Sequence, residues 1–552
     1  MAGLMASAQA RAAAAESVQE SAIGALYGMR SIYQAKYAPA DWKKAQIGYD
    51  LETQFQKSLS ALQANPALSV AESRSVFSDF IYAMKDYHVS IKFLSTEAAK
   101  LPFTVRGAGD RYFIVDIDRA KLPENQFPFS IGDEIVGFGG LKTADAVAAL
   151  QAQLPTNVPE TDRAVAENRL TDREAARGLA VPKGPLVIDV LSPGSPKPAS
   201  FELIWDYTPE RISQRSNFSS LQPISLGGRA AGKTRSSLLN PVMSVDNSDA
   251  TGAYALGARK AFTPDLGAKI WESADDSAYY AYISKLASGK LIGYARIASW
   301  VPKDDAKAGA EFAALIGRFE AVTDALVIDQ VNNPGGSIFH LYNIASMLAD
   351  KPLKTPRHRM SVAPSDVAEA IEIVDRLRGV KNDEDAKKAL ASEDFGGAEP
   401  SYEKAKFLQS YAQFLIDEWN AGKKLTSPYW VGGVDQINPG KVHYSKPILL
   451  LINHLDFSGG DFFPAIMQDN HRATVMGSRT AGAGGYVNDV IIPNDLGIRT
   501  FRVTESIAER MGGNPIENLG VVPDVTYEFT ADDFTDKYAP YAAAIEKALN
   551  AL

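Results

Sequence analysis

From the N-terminus to about residue 85 the apolar positions recur at i, i+3 and i+4. IGALYGMRSIYQAKYAP, DWKKAQIGYDLETQFQKSLSALQAN and SVAESRSVFSDFIYAMKDY each predict a helix, and Pro39 and Pro66 punctuate them. At DYHVSIKF alternation takes over and predicts a strand. Residues 99–207 then read as a small β-rich module. YFIVDID, the centre of IGDEIVGFGG, GPLVIDVLS and ASFELIWDY are strands, TADAVAALQAQL is a helix, and a helical stretch near 158–180 interrupts the pattern. From residue 266 strand, turn and helix alternate. KLIGYARIAS is a strand and KAGAEFAALIGRFEAV an amphipathic helix. ALVIDQ is a buried strand entering the turn VNNPGGS and the helix IFHLYNIASMLAD. The order repeats at PILLLIN, HLDF and SGGDFFPAIMQDN, and it predicts an α/β core. RATVMGS is a further strand, VNDVIIP and GIRTFRVT alternate like paired strands, and AAAIEKAL is a closing helix.

The punctuation divides the chain into an N-terminal helical region over 1–98, the β-rich module over 99–207, a segment over 208–265 and the α/β core over 266–552. The core carries a helical insertion at 351–445 that reads as a lid or a dimer surface; a homodimer is left open. From Ser213 to Ala250 there are nine serines and few aromatic residues, a composition that suits a long loop or linker better than a packed element.

Composition removes several function classes. There is no cysteine, so disulfides, thiolate metal sites and a cysteine nucleophile are excluded. The net charge of −9, with both signs well mixed, gives no basic footprint for nucleic acid. No apolar run is long enough to span a bilayer. The N-terminal MAGLMASAQARAAAAES lacks an apolar signal core; with cysteine absent, a secreted or periplasmic chain without its signal peptide is expected. No His and carboxylate cluster has a metal-ligand spacing such as HExxH, so neither metal nor cofactor is expected.

Ser458 stands where the buried strand PILLLIN turns into a helix. A hydroxyl there can be exposed beside free N–H groups, and Gly459 and Gly460 let a substrate backbone approach. The bland alternative is a helix N-cap, with Asp461 completing a capping-box-like pair. His88 has two readings as well: a base for that serine, or a histidine favoured by a helix C-terminus. His454, four residues before Ser458, reads as a packing residue of the turn.

Resemblances sharpen these readings. GDEIVGFGG resembles the core of PDZ domains, which capture extended peptides by strand addition. ALVIDQVNNPGGS and ILLLINHLDFSGGDFFPAIMQDNHRATVMGSRTAGAGG resemble two blocks of the S41, tail-specific or tricorn-type, serine peptidases. That implies a crotonase-like α/β core of the ClpP and S41 type with an inserted PDZ-like domain, and polypeptide substrates. Two positions depart from the pattern: Gln330 stands near where many relatives carry arginine, and no lysine occurs between Lys446 and Lys537, which excludes a downstream lysine base. DYHVSIKF and NPIENLGVVPDV instead resemble the histidine and glutamate segments of the chlamydial protease-like activity factor branch. The resemblance implies a Ser458–His88–Glu517 triad, an oxyanion hole from backbone N–H groups of Gly459 and of Gly335 or Gly336, and a self-cleaving zymogen inhibited from within 208–265. A passive linker there, and an inactive PDZ-bearing binding protein on the same scaffold, are the rival readings.

Overall fold

The computed structural model describes residues 17–211, 242–244, 254–260 and 264–552, apart from 392, 394 and 396–398. Its centre is a seven-stranded sheet in the order Ala268–Glu272, Ala281–Lys285, Leu291–Arg296, Ala325–Asp329, Ile448–Ile452, Thr474–Gly477, Val525–Thr526. The first three strands are antiparallel, and from Leu291–Arg296 onward neighbours run parallel. Every residue of Ala325–Asp329 and Ile448–Ile452 is buried, as expected of central parallel strands covered on both faces. Alternation divides them between two cores. Leu326, Ile328, Leu450 and Ile452 face the helices Asp305–Val322, Ile338–Leu348 and Gly459–Asp469, while Val327, Leu449 and Leu451 face the C-terminal helix Ala539–Ala551.

Of the three predicted N-terminal helices the first and third are present as Val18–Lys36 and Val70–Tyr82, while the second is broken at Gly48, in the left-handed conformation, into Ala40–Ile47 and Leu51–Gln63. Their apolar faces do not close on themselves. Leu26, Tyr33, Phe77 and Phe80 share one core with Ile91 and Phe93 and with Leu496, Ile498, Phe501 and Val503. The strand Ile91–Phe93 pairs antiparallel with Ile498–Thr504, Ile91 opposite Phe501. His88 itself lies in a turn just before that strand, so alternation in DYHVSIKF becomes a strand only at Ile91.

The β-rich module is a sheet in the order Phe103–Ala108, Arg111–Ile117, Glu134–Phe138, Pro185–Leu191, Ala199–Ile204, packed on helix Thr143–Gln151. The helical stretch inside it forms Pro159–Thr171 and places Ala166 and Leu170 in the same core. The insertion in the α/β core contains the helices Pro364–Leu377, Asp383–Ala389 and Tyr402–Asn420. Much of the serine-rich segment lies outside the described residues; within it, Val242–Ser244 is a strand rather than loop.

Candidate active site

The two glycine turns emerge from adjacent parallel strands, Ala325–Asp329 and Ile448–Ile452, and one carboxylate ties them together. Asp456 accepts the Asn333 N–H at 2.9 Å and the Asn453 N–H at 2.9 Å, and Gln330 Nε2 donates to it at 3.1 Å. Gln330 also donates to the Gly460 carbonyl at 2.7 Å. The departure from arginine at position 330 is therefore a neutral brace between the turns. Phe457 N–H donates to the Asn333 carbonyl at 2.9 Å, which fixes the residue just before Ser458.

Ser458 adopts φ 60° and ψ −108°. A non-glycine residue at positive φ is uncommon and is held only where the surroundings over-determine it. The holding group is Asp461, whose carboxylate accepts the N–H groups of Ser458 at 2.8 Å, Gly482 at 2.8 Å and Ala483 at 3.0 Å, and the Thr480 hydroxyl. Burial pushes the Asp461 carboxyl up to about 6, and these four donors oppose the rise. Half of the expected capping pair is thus made, by Asp461. The Ser458 side chain takes no part: Oγ is buried and has no hydrogen-bond partner among the described residues. A hydroxyl serving only as a cap would be spent on the helix N–H groups.

Gly459 begins the helix against the other turn. A Cβ on Gly459 would stand 2.7 Å from Trp300 Cδ1 and 3.2 Å from both Gly335 Cα and Gly336 N. Gly335 N–H is already donated to Asn333 Oδ1 at 2.8 Å. Gly335 O and Ser337 N are bonded to Trp300, at 3.0 and 2.9 Å. Strand alternation turns the Gly336 N–H and carbonyl toward the opposite edge, where Val242–Ser244 pairs antiparallel with Met243 opposite Gly336.

His88 is fully buried, and neither ring nitrogen has a hydrogen-bond partner among the described residues. Burial pulls its imidazole down to about 4; Arg502 and Lys43 add to this and Asp86 opposes it. Its backbone N–H donates to Asp86 Oδ1 at 2.8 Å, and Asp86 Oδ2 accepts the Tyr37 hydroxyl at 3.2 Å and the Thr504 hydroxyl at 2.9 Å. Glu517 is also fully buried. One of its oxygens accepts Gly484 N–H at 3.1 Å; the other accepts from the Lys43 ammonium and from Asn157 Nδ2 at 3.5 Å. Burial and the nearby Asp86 push the Glu517 carboxyl up, to about 8, against the pull of Lys43. The structure thus gathers the segments of all three residues without closing a Ser458–His88 or a His88–Glu517 hydrogen bond.

Other histidines serve the scaffold. His454 Nδ1 lies 3.1 Å from Ser478 Oγ, and His358 is buried, 2.9 Å from Ser506 Oγ and stacked on Phe462. Among the described residues no group of three His, Cys, Asp or Glu side chains is placed to hold a metal, and no helix is long and apolar enough to cross a membrane. Sequence reasoning missed Asp86, Asp456 and Lys43. The first two sit two residues before His88 and Ser458, which was a usable signal. Lys43, in the short helix Ala40–Ile47, gave none.

Comparison with known proteins agrees with this architecture. A profile described as PDZ domain matches residues 97–212, and one described as Peptidase family S41 matches residues 291–527. An uncharacterized protein of Chlamydia muridarum is 33% identical over 96% of this chain and 92% of its own length. A protein of Chlamydia trachomatis is likewise 33% identical over the same shares. The crystal structure of mature CPAF, the chlamydial protease-like activity factor, superposes with a TM-score of 0.82 at 32% identity, covering 96% of this chain and 97% of that one. A second structure of mature CPAF, complexed with lactacystin, gives 0.81 at 31% identity over 96% and 98%. The module over 97–212 is a PDZ domain, the core is a mixed α/β S41 core, and the chain belongs to peptidase family S41.

Proposed function

We propose that this chain is a serine endopeptidase in which Ser458 attacks a peptide carbonyl, His88 takes the serine proton and returns it to the leaving amine, and Glu517 orients and stabilises the imidazolium. One observation carries the reading. A serine hydroxyl stands unpartnered on a strained turn at a helix start, and the glycine that follows it packs against the backbone of a second glycine turn. A scaffold has no use for that arrangement, whereas acyl transfer needs each part of it. Gly459 and Gly336 are the proposed oxyanion donors; Gly335 supports them, since its own N–H is spent on Asn333. The PDZ domain is proposed to receive extended polypeptide substrates. Absence of cysteine suits a secreted or periplasmic protein.

The chain is further proposed to be made as a zymogen. Val242–Ser244 occupies the edge of Gly335–Ser337, the place an extended substrate would take beside the oxyanion donors. A tethered strand competes at high effective concentration, and cutting the tether turns it into a dilute, weak ligand. The open hydrogen bonds of His88 suit such a resting state.

The test uses purified full-length chain. Wild type should split into two fragments within 208–265 and react at Ser458 with a fluorophosphonate probe, and Ser458→Ala should remain intact and unlabelled. A chain that is fully active yet uncut removes the zymogen reading. The rival, an inactive PDZ-bearing binding protein, is favoured by the missing His88–Ser458 hydrogen bond, and a folded wild type that never labels would establish it.

A further inference from the structure

The lysine that the sequence lacks downstream of the serine arrives from the other end of the chain. Lys43, on the helix Ala40–Ile47, is fully buried. Its ammonium has three donors, and all are used: on the Lys85 carbonyl at 2.6 Å, on Asn518 Oδ1 at 2.9 Å and on Glu517 Oε1. Burying an ammonium is costly unless it is paired, and a solvent-facing position was one helical step away. Lys44, the next residue, is exposed and bonds Asp50 at the surface.

We propose that Lys43 is a positioning residue of this peptidase: it holds Glu517 as a carboxylate and aims it at the imidazole of His88. The inference rests on the Ser458–His88–Glu517 reading above. The charged and titratable groups packed around the acid and its imidazole are Lys43 from the second helix, Asp86 and Tyr37 from the N-terminal region, and Arg502 from the strand Ile498–Thr504. Arg502 is already paired with Asp489 at 2.7 Å, so its charge is largely met elsewhere. Asp86 and Glu517 are both buried. In the proposed arrangement Lys43 compensates one of the two buried carboxylates, and the imidazolium formed when His88 takes the serine proton compensates the other. Without Lys43 two carboxylates would share one dry pocket. Like charges in such a pocket cannot both stay ionised, and one would take up a proton. Glu517, with burial and Asp86 both acting against its charge, is the one that would be lost as an acceptor for the imidazole.

The experiment measures turnover of a fluorogenic unfolded protein by the full chain between pH 5 and 10, for wild type, Lys43→Met, Lys43→Gln and Lys43→Arg, with melting temperatures in parallel. The neutral variants should lose kcat by roughly 10²-fold or more, the scale of a mispositioned acid–base partner, with KM little changed. Their rising pH limb should move alkaline, because Glu517 loses the charge that favours its ionised form. Lys43→Arg should restore most of kcat. Neutral variants with the wild-type pH profile and kcat would overturn the proposal. So would neutral variants that fail to fold, or loss in Lys43→Arg that tracks melting temperature alone, since either makes the residue a structural staple. Ser458→Ala and Glu517→Gln are run beside them. If either retains turnover the triad reading fails; if both are silent while Lys43→Met is normal, only the present inference fails.

Discussion

Tyr87 and Phe457 meet edge to face, ring centroids 5.5 Å apart, and each immediately precedes a residue of the proposed triad. The segments that carry His88 and Ser458 thus meet through these neighbours, by an aromatic contact in a small core with Leu455, Ala481 and Ala483. The Tyr87 hydroxyl is anchored in turn by Asp162 and by the Val158 N–H at 2.9 Å, both in the PDZ domain. Tyr87→Ala should therefore lower kcat by at least about tenfold through misplacement of His88, and slow the labelling of Ser458 by a small fluorophosphonate in parallel. Unchanged peptide turnover would show that this contact positions nothing.

The backbone of Ser458 makes a second prediction. Ser458→Ala and Ser458→Gly should both abolish turnover, but they should differ in stability. Alanine keeps the unfavourable φ, whereas glycine relieves it at some cost in unfolded-chain entropy. A net gain of about 1 kcal/mol for Ser458→Gly over Ser458→Ala is expected. Chemical denaturation of the two variants measures it, and equal stabilities would mean that the turn holds no strain.

Gly459→Ala tests the anion site. Its new methyl group would meet the Trp300 ring and the Gly335–Gly336 backbone and drive the turns apart. Loss of one oxyanion donor costs roughly 2.7–4 kcal/mol of barrier. A fall of that size in kcat, with KM little affected, is the expected reading of steady-state kinetics.

His88 couples folding to acidity. Its folded value is about 4, against an ordinary 6.5, because burial disfavours the imidazolium. The unfolded state therefore binds the proton more readily. The stability this confers is complete above pH 6.5 and is lost as pH falls toward 4. Between pH 7 and pH 5 the loss from this group should be about 2 kcal/mol, and His88→Asn should remove it. Equal acid sensitivity of variant and wild type would contradict the buried neutral state.

Most of the fold was legible because its signals are local. Helical and alternating periods marked the N-terminal helices, the PDZ domain and the central strands, and the two glycine turns marked where chemistry could sit. What was illegible depends on contacts between distant segments. Nothing in DWKKAQI distinguishes buried Lys43 from exposed Lys44, because the distinction is made by Glu517, at the other end of the chain. The capping reading of Ser458 held only in part for a similar reason: Ser458 is the N-cap residue, but Asp461 makes the side-chain bond, and Thr480–Ala483 completes its hydrogen bonds from a separate loop. The strand at Val242–Ser244 escaped notice because three residues in a serine-rich stretch carry no periodicity.

Met243→Pro addresses that strand. Proline removes the N–H that faces Gly336 and should weaken the pairing. Activity of freshly purified variant should then appear without the lag expected of wild type. A lag of equal length would leave the strand without an inhibitory part.

The pairing of Ile91–Phe93 with Ile498–Thr504 has a consequence for any chain severed between residues 208 and 265. Lys43 and His88 would then lie on one polypeptide, Ser458 and Glu517 on the other. The working enzyme would be a two-subunit assembly made from a single gene product, held by that strand pair and the shared apolar core around Tyr33, Phe80 and Phe501. Its survival would obey mass action: dilution, which cannot disperse an intact chain, would separate base from nucleophile and end activity without any inhibitor.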